Sequence, residues 1–435
     1  MPTRLSFFDC CCTVGPVALK DPLALWTTES LLAEMDRCEI DGALVAHTHA
    51  FRADAVEARD RLAAEIAKAP GRLFPMWTVL PADGGDFEQP GDFVRKALEA
   101  GVRAVKLYPK SHRYPPVLDL LAPLLSALQS ARMPVMIEIE ELGATDTEIF
   151  EAFHAMASAF PDLPLVGQRF AWGHQRIVTA LMARRPNFYV EFSRYQINRA
   201  LEVYARRFGV ERLLFGSGAP ALSAGAARAF VDYADLDDDA KRLIAGGNLR
   251  RLLGVQPKPC QPPAENASDS LLALARRGQP LLDSPVLDAH CHVLAPGSHG
   301  GANVVAYQGD AAGIVQLASR LGTQATAMMS WSGPLGGDMT GGNDVVYQAM
   351  RQFPDKVIGV AYVNPSHHTP AELEAEMRLR VDEQGFLALK PYMNTGVPYA
   401  DPLWEPVWRF GAQRGLYALF HLDAGGIESI KRIAA

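Results

Sequence analysis

The chain has 435 residues, a length that suggests two or three domains. Its 42 Lys and Arg against 49 Asp and Glu leave a net charge of −7, and no basic block breaks that balance, which argues against a nucleic-acid or anionic-membrane partner. Hydrophobic residues at 49% and charged residues at 21% exclude bulk disorder, and no run reaches the ~18 uncharged apolar residues of a membrane helix.

The first twenty residues imitate a signal peptide only in part. Arg4 precedes LSFFDCCCTVGPVAL, but Asp9 breaks the apolar run and no small-residue cleavage site follows. Six cysteines are too sparse for a disulfide scaffold. Cys10, Cys11 and Cys12 read as small buried hydrophobes at a strand end in a reducing compartment, so a cytoplasmic location is expected.

From residue 5 to residue 255, short apolar strands alternate with amphipathic helices. The strands are expected at Leu5–Cys10, Ala43–His47, Leu73–Val79, Val102–Leu107, Pro134–Ile139, Leu163–Val166, Phe188–Phe192 and Leu213–Ser217. ESLLAEMDRCEI, VEARDRLAAEIAKA and VLDLLAPLLSALQSA carry the i, i+3, i+4 apolar spacing of helices packed on one face. Alternation of this kind implies parallel strands with helical crossovers. Eight such units in about 250 residues match a (β/α)8 barrel. A doubly wound open sheet is disfavoured, because no Gly-rich turn follows the first strand.

Residues 256–284 read as a linker. QPKPCQPPAENASDS is rich in Pro and small polar residues, and the short helical stretch LLALARRG follows it. The alternation then restarts as a repeat of the first part. Pro81 and Pro365 stand 284 apart, as do Lys106 and Lys390; Glu138 and His421 stand 283 apart, and Asp9 and Asp288 279. Residues 285–435 are thus expected to hold strands one to five of a second, C-terminally incomplete barrel: Val286–His290, Ala325–Trp331, Val357–Val363, Phe386–Lys390 and Leu416–His421. The sequence stops inside what would be the fifth helix. Half a barrel leaves bare edges and an open core, so the chain is expected to be a fragment of a longer protein.

The motif with the most chemistry is VLDAHCH, residues 286–292. His290 and His292 lie at i and i+2 near the carboxyl end of a strand, so both imidazoles face one point at the barrel mouth. Two neutral imidazoles suit Zn²⁺ or a similar divalent ion. His421 ends the fifth strand of the same repeat and faces the same mouth. Lys390 ends the fourth. Carbamylated by CO₂, it becomes an anionic metal bridge; unmodified, it binds a substrate carboxylate.

DAHCH on strand one, LALK on strand four and a His on strand five resemble the amidohydrolase superfamily, in its amidohydrolase-related branch of metal-dependent hydrolases. That resemblance implies a (β/α)8 barrel with one or two divalent metals, bound by His-x-His on strand one, His on strands five and six and Asp on strand eight, and in some members by a carbamylated strand-four Lys. It assigns His290, His292 and His421 as metal ligands and Lys390 as the catalytic lysine. The strand-six His and strand-eight Asp would fall beyond Ala435.

The first barrel shares the plan and departs at these positions. Cys11 and Thr13 replace the strand-one histidines, Glu138 the strand-five His, Arg169 the strand-six His and Gly218 the strand-eight Asp. A guanidinium in the mouth repels a cation, so this barrel is read as a copy that has lost its metal. His47 and His49 form a second His-x-His, at the end of strand two, with no further ligand in view. His367 and His368 read as a solvated loop, His112, His154 and His174 lack partners in the pattern, and Trp404 with Trp408 read as helix-core contacts.

Three functions follow as expectations. The first is metal-dependent hydrolysis of an amide, lactone or similar carbonyl bond in a small molecule, located in the second barrel, with a divalent metal, expected to be Zn, as cofactor. The second is metal-dependent non-oxidative decarboxylation with the same ligands. The third is a catalytically inactive scaffold, at least for the first barrel. The partners expected are a small-molecule substrate and a second copy of the chain, with neither nucleic acid nor membrane.

Overall fold

Eight short strands, each followed by a helix or turn, build the sheet of the first unit. The structure, a computed structural model, describes residues 4–17, 26–264, 271–281, 285–301, 304–392, 396–421 and 426–434. The chain divides into two units, Met1–Gly278 and Gln279–Ala435.

In the first unit the strands are β1 (Phe7–Val14), β2 (Ile40–His47), β3 (Leu73–Thr78), β4 (Ala104–Leu107), β5 (Val135–Glu138), β6 (Leu165–Gln168), β7 (Phe188–Glu191) and β8 (Leu213–Leu214). They pair in parallel in sequence order. Two backbone bonds bring the last strand beside the first: Cys10 donates to the carbonyl of Phe215 and Thr13 to that of Ala219, each at 3.0 Å. The arrangement is that of a (β/α)8 barrel. Alternate residues point inward, so Cys10, Ala46, Met76, Ala104, Met136, Val166 and Leu214 form one buried cluster. Cys10, Cys11 and Cys12 are all buried, as expected.

The segment expected as a linker is held down over its first part. Lys258 donates its backbone N–H to Gly71 at 2.8 Å, Cys260 donates to Asp41 at 3.0 Å, and Arg276 pairs with the buried Glu39. The Pro-rich composition correctly signals aperiodic chain. It is silent on these backbone donors, which the barrel satisfies, so the first unit runs to Gly278 and not to 255.

The second unit holds β9 (Val286–Val293), the antiparallel pair β10 (Gly300–Gly301) and β11 (Val304–Val305), then β12 (Thr323–Ser330), β13 (Val357–Val363), β14 (Ala388–Pro391) and β15 (Tyr417–Ala418). All five expected strands lie in one parallel sheet, ordered β15-β14-β13-β12-β9. Helices Met339–Gln352 and Glu405–Arg414 bury Val346, Val407 and Phe410 in one core with Met328 and Leu389 of the sheet. Asn343 stitches helix to sheet by donating to the Tyr362 carbonyl at 3.0 Å and accepting from its N–H at 2.8 Å. Among the described residues β9 is an edge of the sheet, and Leu287 on it is 61% exposed. No described helix is long and apolar enough to cross a membrane.

The opening strands of the two units deviate alike. Between Asp9 and Cys12 three steps along β1 match two along β2, and between Asp288 and Cys291 three steps along β9 match two along β12. Each is a bulge, with one residue more than its partner strand. In each the aspartate accepts a backbone N–H two residues on, Cys11 at 2.9 Å and His290 at 3.0 Å.

Candidate active site

The bulge in β9 aims both histidines at one point. His290 Nε2 and His292 Nε2 stand 3.4 Å apart. Two nitrogens each 2.0–2.1 Å from a tetrahedral zinc would be separated by roughly 3.3 Å, so this pair fits a shared ion. His292 Nδ1 lies 3.4 Å from the Ser330 carbonyl, which favours a proton on Nδ1 and a bare Nε2. Burial pushes the His292 imidazole down to about 4, and the charges of His290, Lys390 and His421 push the same way against the Ser330 carbonyl. Burial, then Lys390 and His421, also lower His290, against Asp288. Both shifts favour the neutral ring, the form that binds a metal.

The strand ends β14 and β15 supply the rest. Lys390 is buried, and among the described residues its Nζ has no hydrogen-bond partner. Burial lowers its amine to about 8. His421 packs its ring 4.6 Å from that of Tyr392, and its carbonyl accepts from Tyr399 at 2.8 Å. The four sequence-picked residues therefore share one neighbourhood, in which each histidine of β9 feels Lys390 and His421. They do not form a closed ligand set: among the described residues no three His, Cys, Asp or Glu side chains are grouped to hold a metal.

Six of the other histidines are engaged elsewhere. His47 Nδ1 accepts from the His49 N–H at 3.1 Å, while His49 reaches Glu57 at 3.0 Å and the two rings stand 6.3 Å apart. His112 meets the Ala50 carbonyl, His154 stacks by Phe150 and meets Arg185, His174 accepts from Ala171, and His368 lies by the Asn364 carbonyl. Trp404 and Trp408 stack at 5.3 Å within the core, as expected.

In the first unit the corresponding positions hold charge pairs. Lys106, 1% exposed, places Nζ 2.5 Å from Glu138 Oε1. Burial would lower Lys106, yet the Glu138 charge leaves it raised; burial would raise Glu138, yet Lys106 and then Arg169 hold it below the ordinary carboxylate range. Arg169 Nε lies 3.6 Å from Glu138 and 4.0 Å from Glu140, and Arg194 pairs with Glu140. Glu191 accepts the N–H groups of Arg169 and Ser193, each at 2.5 Å. Gly218 sits at φ +71, and a Cβ there would stand 2.7 Å from Leu222, so the backbone disfavours an aspartate at this position. Lys106 and Arg169 both bring positive charge to Glu138, which disfavours a metal ion on that carboxylate.

Sequence reasoning placed Lys106 and Glu138 singly and missed their pairing. The signal was present in part, since Lys106 is in register with Met136 on the adjacent strand and Glu138, two residues on, shares that residue's face. Arg194 and Glu140 lie beyond β7 and β5, where strand patterns carry no information.

Residues 28–255, just over half of the chain, match the model of a family described as amidohydrolase. No curated protein matches the chain. Among solved structures it is similar to an uncharacterized TIM-barrel protein from Bordetella bronchiseptica, with 19% identity and TM-score 0.45 over 57% of this chain and 99% of that one. It is similar to 5-carboxyvanillate decarboxylase from Sphingomonas paucimobilis, with 16% identity and TM-score 0.44 over 58% and 100%. A third is a dihydroxybenzoic acid decarboxylase from a Polaromonas species, crystallised with manganese, with 14% identity and TM-score 0.48 over 58% and 97%.

Proposed function

The chain belongs to the amidohydrolase family, and from that premise we propose a metal-dependent enzyme acting on a small molecule, with its chemistry in the second unit and a metal-free first unit. The observation that carries this reading is the His290–His292 pair, with Nε2 atoms 3.4 Å apart beside an unpartnered Lys390 amine. The shared bulge and aspartate at the start of each unit support reading the second as a repeat of the first.

His290 and His292 would hold a divalent ion such as Zn²⁺, with His421 turning from Tyr392 as third ligand. The ion supplies a Lewis acid that polarises a carbonyl or carboxyl oxygen. The chain's own residues fix which bond is attacked. Lys390, desolvated and without a protein partner, binds a substrate carboxylate and orients it toward the histidines. A buried lysine amine that takes a substrate carboxylate favours non-oxidative decarboxylation of an aromatic or enolic acid as the leading reading, with hydrolysis of an amide or lactone the second.

The test is an assay of the full chain, loaded with Zn²⁺ or Mn²⁺, against a panel of aromatic carboxylic acids and a panel of lactones. CO₂ release from an acid, lost in Lys390→Met, supports the first reading. Turnover confined to lactones replaces it with the second, and turnover of neither overturns both.

A further inference from the structure

Three polar groups at the ends of β13 and β14 have no hydrogen-bond partner among the described residues: the Tyr362 hydroxyl, Asn364 Nδ2 and Lys390 Nζ. All three side chains are fully buried. Unpaired buried groups are rare in folded proteins, and each of these has a proton to donate. The sheet puts Tyr362 and Lys390 on one face. Tyr362 is in register with Lys390, and Val360, two residues before it, with Ala388. Val360 and Ala388 pack with Ala327 and Met329 in one apolar cluster, and Met329 is in register with His292. Side chains alternate along a strand, so Tyr362 and Lys390 stand one step above that cluster, on the face that carries His292.

Asn364 follows two residues after Tyr362. Its Oδ1 accepts from the Ser366 N–H at 3.1 Å and the Ser366 hydroxyl at 2.6 Å, which fixes the way the amide faces and leaves Nδ2 unspent. Burial pushes the Tyr362 phenol up to about 12 while the Asn364 side chain pulls it down, so the two groups stand together. Burial is what lowers the Lys390 amine to about 8, and among the described residues no carboxylate acts on it in return. Its charge is therefore open to an anion. Neighbouring strands lie about 4.8 Å apart. A carboxylate accepting at about 2.8 Å on each of its oxygens bridges two donors with roughly that separation. Solvent meets this face of the sheet at His290, which is exposed.

We propose that Tyr362 and Asn364 complete the grip of Lys390 on the ligand's carboxylate, with Lys390 holding one oxygen and the Tyr362–Asn364 pair the other. Together the three donors fix the plane of the carboxylate, which a lone ammonium does not. The inference rests on the reading of Lys390 as the carboxylate anchor, and needs neither the metal nor the identity of the bond that breaks.

The test is calorimetric titration of the full chain with sodium benzoate in excess EDTA, so that no metal contributes. The parent chain should bind benzoate once. Tyr362→Phe removes a single oxygen and should weaken binding about tenfold, the worth of a hydrogen bond to a charged group. It should melt at or above the temperature of the parent, because the hydroxyl it removes is buried without a partner. A purely structural Tyr362 would do the reverse, lowering the melt and leaving benzoate binding as it was. The fall in affinity above about pH 8, which belongs to Lys390, should persist in Tyr362→Phe. Asn364→Asp keeps the acceptor used by Ser366 and loses the N–H donor, and should also weaken binding. Benzoate binding that is lost in Lys390→Met yet unchanged in both Tyr362→Phe and Asn364→Asp overturns this inference and leaves the reading of Lys390 standing. Binding unchanged in Lys390→Met, or no binding by the parent chain, overturns both.

Discussion

Nζ of Lys106 lies 2.5 Å from Oε1 of Glu138, whereas Lys390, 284 residues further on at the matching position of β14, has an amine with no hydrogen-bond partner among the described residues. The contrast divides the two units. A lysine beside a carboxylate is a neutralised cation. A desolvated lysine among neutral imidazoles is a free donor to a ligand anion.

The first prediction concerns the closed pair. Lys106→Met leaves the Glu138 charge in the mouth with Arg169 as its remaining near cation, and should cost roughly 3–5 kcal/mol of stability, as breaking a buried pair does. Lys106→Met combined with Glu138→Gln should recover much of that loss. Glu138 is depressed below its ordinary 4.5, so its contribution is present above that pH and lost as acid carries the protein through the folded value. Lys106 is raised above 10.5, so its contribution is present below that pH and lost in stronger alkali. Denaturant melts between pH 3 and pH 11 should show a plateau between about pH 4.5 and 10.5, flattened in the double variant.

The second prediction concerns Lys390. Burial brings its amine to about 8, so it is charged below that pH and neutral above it. Substrate carboxylate affinity should fall as pH rises through about 8, seen as a rising KM. Lys390→Met should abolish that dependence and weaken substrate binding about tenfold to a hundredfold, the worth of a charged hydrogen bond.

The third concerns the thiols. Cys10, Cys11 and Cys12 are buried and their thiols are pushed far up by burial; Cys38, Cys260 and Cys291 are pushed by burial to about 12. The native chain should therefore react slowly with a disulfide reagent at pH 8, and release all six thiols after denaturation. A fast thiol in the native protein would contradict the buried-strand account of the cysteine triplet.

Much of the fold was legible because period-two strands and period-3.6 helices alternate cleanly. Leu118–Ser130 appears where VLDLLAPLLSALQSA marks it, and Val357–Val363 holds to the residue. Strand ends were less legible. The first strand runs four residues past Cys10 to Val14, because the bulge lets the cysteines continue pairing with β2, while the fifth strand of the second unit shrinks to Tyr417–Ala418 at the sheet edge. The histidine pair followed from spacing alone, and the structure brings the two nitrogens together. The grip on Cys260 and Arg276 was invisible, since it rests on Asp41 and Glu39, which local pattern reads as ordinary surface acids.

The central claim is a metal held by the second unit and none by the first. Metal content of the full chain, measured by mass spectrometry after loading with Zn²⁺ and desalting, tests it most directly. The account predicts one ion per chain, lost when His290 and His292 are both changed to Ala in a variant that melts like the parent. An undiminished metal content in that variant would contradict it.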